Sequence, residues 1–104
     1  MTTATRIVVV LLCVAWSSLL AAEPLRVGTF DVAASPPIGS PVAYAPARKI
    51  VDPLSARGVV LLGQGKPIVL CAVDWIGIGG RSHDQWRSEL ANAAGTSADR
   101  VAVH

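Results

Sequence analysis

Cysteine, histidine and runs of like charge are all scarce in this chain, and each shortage removes a class of function. Two cysteines occur in 104 residues, and Cys13 lies inside an apolar N-terminal run. Cys71 therefore stands alone beyond that run, and no intrachain disulfide can staple residues 23–104. With nothing cationic beside it to lower its pKa, a lone thiol in a strand reads as a small buried hydrophobe rather than a nucleophile. Nine Lys/Arg, one of them Arg6, stand against seven Asp/Glu, spread without runs of either sign. That leaves no basic patch for nucleic acid and no polybasic membrane motif. Two histidines fall short of the three protein ligands that a catalytic zinc usually takes.

Phosphate-binding loops are missing as well. Around Gly63-Gln64-Gly65-Lys66, the first glycine of a P-loop would fall on Val60 and its Ser/Thr on Pro67, so neither the cradle nor the magnesium hydroxyl exists. Gly77-Ile78-Gly79-Gly80 sits between a strand and a helix, yet the third glycine of a dinucleotide fingerprint would be Ser82, and no acid follows the next strand. No nucleotide partner is expected.

What the chain does contain begins with a leader. Residues 1–22 have a short polar start with Arg6, an apolar run from Ile7 to Leu20 and small residues Ala21-Ala22 before Glu23-Pro24, the pattern of a secretory signal peptide. A membrane anchor would need about 18 or more apolar residues, and Ser17 and Ser18 interrupt this run. Export to the periplasm or the exterior follows, with no integral membrane segment after cleavage. Leucine at the −3 position for a cut after either Ala21 or Ala22 leaves the site open between them.

The strand-forming residues concentrate in Arg57–Gly80. Gly58–Leu62 and Ile68–Val73 flank Gly63-Gln64-Gly65-Lys66-Pro67, which predicts a β-hairpin. Its second arm is apolar on both pleat faces, the pattern of a central strand covered on both sides. Leu25–Val32 alternates as a first strand. From Ala33 to Asp52 the prolines Pro36, Pro37, Pro41 and Pro46 predict a long loop without regular structure. For Tyr44, its one aromatic residue, the plainer expectation is packing of the loop onto the sheet; the sharper one is a contact at a substrate rim. Further on, Ser82 and Gln85 fit a capping box, Trp86, Leu90 and Ala93/Ala94 share a face, and Gly95 supplies a left-handed stop. A helix over 83–94 is predicted, then a strand beginning at Val101 and parallel to Ile68–Val73, a βαβ unit. The fold class is α/β: a partial mixed sheet, truncated in its last strand, from which a longer domain is expected.

In a βαβ unit the carboxyl ends of both parallel strands open on one edge of the sheet, which brings Asp74, the Gly77–Gly80 turn and His104 to one crevice, with His83 starting the helix above it. Asp74 either caps the turn that follows or supports a ligand site from behind. His83 is expected at the helix surface, with its ring able to reach toward the crevice.

On these residues, Leu25–His104 resembles the N-terminal part of the neutral/alkaline, non-lysosomal ceramidase family, particularly its secreted bacterial members. Arg26–Val32 is similar to the family's opening Gly-x-x-x-Asp-Ile strand, Ala43-Tyr44-Ala45 to its Gly-Tyr-Ala loop, and Ala56–Trp75 to its hairpin ending in Ala-Asp. Asp99–His104 is similar to the strand leading into its Thr-His-Thr-His-Ser-Gly-Pro segment, so that His104 takes the place of the first histidine of a metal-binding His-x-His pair. Arg57 is retained, whereas the family's His-x-Arg-x-Arg stretch is here Asp52-Pro53-Leu54-Ser55. The resemblance implies an exported, zinc-dependent hydrolase of the amide bond in N-acylsphingosine, with His104 as a zinc ligand, Asp74 behind it and Tyr44 at the substrate rim. Because the other ligands fall beyond position 104, neither tight zinc binding nor activity is expected of this chain alone. The alternative is a secreted, non-catalytic binding or envelope protein on the same scaffold.

Overall fold

A computed structural model describes residues 23–104; the expected signal peptide, residues 1–22, lies outside the described residues. The fold is α/β. Strands β1 (Arg26–Ala33), β4 (Ser55–Leu62), β5 (Ile68–Val73) and β6 (Val101–Val103) form a mixed sheet in the order β1-β4-β5-β6. β1 pairs antiparallel to β4 and β4 antiparallel to β5, while β5 and β6 run parallel. Helix α1 (Gly80–Ala94) and a single 3-10 turn (Ala98–Arg100) make the connection from β5 to β6. A parallel neighbour cannot be reached by a tight turn and needs a long crossover, which here is a helix.

The hairpin, the helix stop and the parallel last strand stand where the sequence puts them. Gly95 adopts φ 69°, ψ 38° and donates its N–H to the end of α1, while Thr96 sends its N–H to Ala91 O at 2.9 Å. The Thr96 hydroxyl then reaches Pro67 O at 2.7 Å, tying the end of the helix to the start of β5. Arg87 completes the join, with Nε 3.1 Å from Val101 O and a terminal nitrogen 2.6 Å from Ala98 O. These carbonyls lie where the chain enters β6, so a helix side chain sets the position of the edge strand.

Three expectations are corrected. Helix α1 starts at Gly80, three residues early, with Gly79 as its N-cap and no side-chain cap. Gly80 takes φ 53°, a conformation open to glycine at little cost. Ser82 therefore falls inside the first turn, where it cannot close a capping box with Gln85. The Ala33–Asp52 segment is not devoid of structure: β2 (Pro41–Val42) and β3 (Ala45–Pro46) form a small hairpin. Its two facing prolines lack N–H groups, and the flanking bonds Gly39 N–H to Ala47 O (2.7 Å) and Ala47 N–H to Ser40 O (2.8 Å) hold it instead. The third correction concerns β5, which is covered on one face only. Val69, Cys71 and Val73 are buried, yet Ile68 and Leu70 remain 37% and 45% exposed. One helix can shield one side of a sheet.

The core lies between α1 and that side of the sheet. Ala56, Val69, Cys71, Val73, Val101 and Val103 meet Ala91 from the helix, with Trp86 and Leu90 packed against them. Fully burying a valine side chain contributes about 1.5–3 kcal/mol, and the alternation of buried and exposed residues along β5 and β6 directs four valines to this side. At the far side of the core, the ring of Phe30 lies over Gly58. A Cβ on Gly58 would collide with both that ring and the backbone oxygen of Leu70. Phe30 can therefore approach β4 this closely only because position 58 has no side chain.

Gly58→Ala is expected to lower the unfolding free energy by about 1–3 kcal/mol, because a backbone atom cannot swing aside as a side chain can. The fall should be read as a lower urea midpoint with an unchanged slope. An unaltered midpoint would show that the close approach is not a constraint.

Candidate functional site

The carboxyl end of β5 is the richest polar site of the fold, and its residues are positioned by strand register. β4 and β5 pair through Ala56 and Val73, so the next step of the register sets Ser55 against Asp74. The carboxylate Oδ2 of Asp74 accepts the Ser55 N–H at 2.8 Å and the Ser55 hydroxyl at 2.7 Å. The Asp74 N–H returns a bond to Ser55 O at 2.9 Å. Ser55, only 8% exposed, is the buried polar residue of the described chain, and these three bonds satisfy it. Asp74 thus neither caps the turn after it nor faces β6; it clasps the end of the hairpin. Its side-chain and backbone bonds from Ser55, aided by the charge of Arg57 and opposed by slight desolvation, hold its pKa below the ordinary carboxylate value.

His104 reaches the same edge of the sheet from the other side of β5. Its N–H donates to Cys71 O at 3.1 Å and its C=O accepts the Val73 N–H at 2.8 Å, extending the parallel ladder by one residue. The residue itself is exposed. His83, expected at the helix surface, is half-buried, with Nε2 at 3.1 Å from Val103 O. A carbonyl oxygen only accepts, so Nε2 carries the proton and is occupied. Both imidazoles lie near the end of β6, one held against a carbonyl and the other open.

Trp75 follows Asp74, and its indole N–H donates to Ala34 O at 2.8 Å, which anchors the turn on the chain leaving β1. Its ring meets Trp86 edge to face, with centroids 5.6 Å apart and planes at 90°. Tyr44 is not part of this group. It stands at the tip of the β2–β3 hairpin beside Ala43 at φ 45° and is fully exposed, so it does not pack the loop onto the sheet. It borders an open hollow of about 560 Å³ whose lining includes Arg48, Ile50 and Leu54 but neither Asp74 nor His104.

A zinc ion does not fit these residues as they stand. Among the described residues no three His, Cys, Asp or Glu side chains come together, whereas a catalytic zinc takes three protein ligands. The Asp74 oxygen and the His83 nitrogen described above already have partners. Cys71 is free and buried, and burial pushes its thiol pKa up, which suits packing rather than metal binding.

Ser55, the hydrogen-bond partner of Asp74, carries no motif of its own in the sequence, although counting outward along the hairpin register reaches it. The Trp75–Trp86 contact had no comparable signal, because it joins a turn to the second helical turn across space.

Replacing Ser55 by Ala is expected to raise the Asp74 pKa toward the ordinary value of about 3.9, as followed by carboxyl NMR. A depressed folded-state pKa contributes stability above the unfolded-state value, and that stability is lost as pH falls through the folded-state value. The stability gap between wild type and Ser55→Ala should therefore narrow on acidification through this range. An Asp74 titration that is the same in both proteins would remove the clasp. No protein-family model, no curated protein and no solved structure matches the chain.

Proposed function

We propose that residues 23–104 form the leading part of the scaffold of an exported, ceramidase-like amide hydrolase, secreted or periplasmic after removal of residues 1–22. In this role the chain presents one imidazole, His104, toward a zinc site and lacks hydrolytic activity by itself. The observation that carries the proposal is the parallel pairing of β5 with β6, which sets Asp74 and His104 on the same edge of the sheet. The carboxyl edge of parallel strands is where α/β proteins gather their chemistry. The ordered motif matches from Arg26 to His104 add to it.

Within that proposal the residues have distinct tasks. The backbone of His104 is locked to Cys71 and Val73, so the direction in which its ring leaves the sheet is set by the ladder. Asp74 is a positioning residue, acting through Ser55 on the end of the hairpin rather than on a ligand. N-acylsphingosine or a related linear amide is the substrate class, and Tyr44 on its projecting hairpin is a rim contact for it. No step of hydrolysis is assigned to residues 23–104, whose side chains do not assemble a zinc site.

One observation favours a non-catalytic binding protein instead. Asp74 and His83 are both satisfied by partners inside the fold, an arrangement that serves architecture without any metal.

Zinc titration of the chain, followed through the imidazole NMR signals, separates the two. The signals of His104 should shift at zinc concentrations about fivefold or more below those that move His83, whose Nε2 has to give up a hydrogen bond worth about 1 kcal/mol. His104→Gln should abolish the tighter event, and N-acylsphingosine should remain intact throughout. Equal responses from both histidines, or none from His104, would sink the hydrolase proposal and leave the binding role.

A further inference from the structure

The groove beside the two indoles is separate from the His104 edge and has a chemistry of its own. It measures about 400 Å³ and is lined by Trp75, Ser82, Gln85, Trp86 and Glu89. That volume lies within the range of small-ligand sites, about 300–1,000 Å³. Ser82, Gln85, Trp86 and Glu89 come from successive turns of α1, and Trp75 closes the groove from the turn after β5.

Three features of the lining select one kind of ligand. The indoles stand at right angles with centroids 5.6 Å apart, forming a corner whose ring faces carry partial negative charge. The Trp75 N–H is held by Ala34 O at 2.8 Å, so that ring is fixed in orientation and its polar atom is already used. Glu89 is exposed, and the one ion pair among the described residues joins Arg57 to Asp31, which leaves the Glu89 carboxylate without a cationic partner there. Aromatic faces attract cations, tryptophan most strongly, and the carboxylate adds to that attraction. An anion would be repelled by both. A sugar would draw on Ser82 and Gln85 but would leave the negative charge uncompensated. An ammonium carrying methyl groups meets both requirements, since its apolar shell packs on indole while its charge faces Glu89.

We propose that the Trp75–Trp86–Glu89 groove binds a quaternary or otherwise methylated ammonium group. This site does not depend on the hydrolase proposal, and its test uses no zinc.

Choline and its uncharged carbon isostere, 3,3-dimethylbutanol, are titrated into the full chain while the indole N–H signals of Trp75 and Trp86 are followed by NMR. Choline should shift both signals saturably and bind about tenfold more tightly than the isostere, the ratio expected for a cation–π contribution of about 1–2 kcal/mol. Glu89→Gln keeps size and helix propensity and should reduce that preference while leaving the share due to the indoles, with circular dichroism unchanged. Trp75→Phe retains an aromatic face and should weaken choline binding less than Trp75→Ala. Equal affinity for choline and isostere, an undiminished preference in Glu89→Gln, or a response to glucose but not to choline would each overturn the proposal.

Discussion

The backbone of Ile68–Val73 is hydrogen-bonded along both edges, antiparallel to β4 and parallel to β6, and both of those strands take their places from it. The antiparallel register sets Ser55 against Asp74. The parallel register carries one residue beyond β6, so that His104 exchanges bonds with Cys71 and Val73. Each of these backbone bonds contributes only about 0.5–1.5 kcal/mol net, but leaving such a group buried and unpaired costs more. Displacing β5 by one residue would also turn Val69, Cys71 and Val73 out of the core. Burial and hydrogen bonding thus enforce the same register.

The two faces of the sheet differ sharply. On the helix side, valines from β5 and β6 meet Ala91, Leu90 and Trp86. On the other, Val27, Ile68 and Leu70 are substantially exposed, and the polar feature of that side is the Arg57–Asp31 pair at 3.2 Å. Both partners are about two-thirds exposed, and pairs of that kind contribute roughly 0–1 kcal/mol, so charge does little to hold the sheet. Apolar packing on the α1 side and the ladder hydrogen bonds hold it instead. Parallel strands are usually covered on both faces, which makes β5 and β6 unusual among the described residues.

Around the carboxyl edge, polar groups divide into those that build the structure and those that remain open to ligands. Asp74, His83, Arg87 and the Trp75 N–H all end on backbone or serine partners within the fold. His104 and Glu89 are exposed, and they lie with different neighbours: one on the end of a strand, the other beside two indoles. A motif-level description groups Asp74 with His104 because both finish parallel strands. In three dimensions the Asp74 carboxylate turns toward β4, away from β6, because Ser55 offers it two donors at once.

Local pattern was enough for the hairpin, the helix, its glycine stop and the parallel return. Turn glycines, a 3.6-residue apolar period and the geometry of a crossover depend on residues close together in the chain. The two apolar faces of β5 were equally legible, but the expectation that both are covered fails at Ile68 and Leu70, since cover depends on how many helices pack and where. The start of α1 was missed because Gly79 and Gly80 permit a backbone that needs no side-chain cap. The β2–β3 hairpin was missed because its prolines argue against pairing, while Gly39, Ser40 and Ala47 provide bonds beyond them. Sequence alone therefore determined the order of the main-sheet strands and the helix, and the residues available for chemistry. Tertiary structure alone decided their partners: Asp74 with Ser55, His83 with Val103 and Trp75 with Trp86. Contacts between distant residues are chosen by register and packing, and neither is written in any short stretch of the chain.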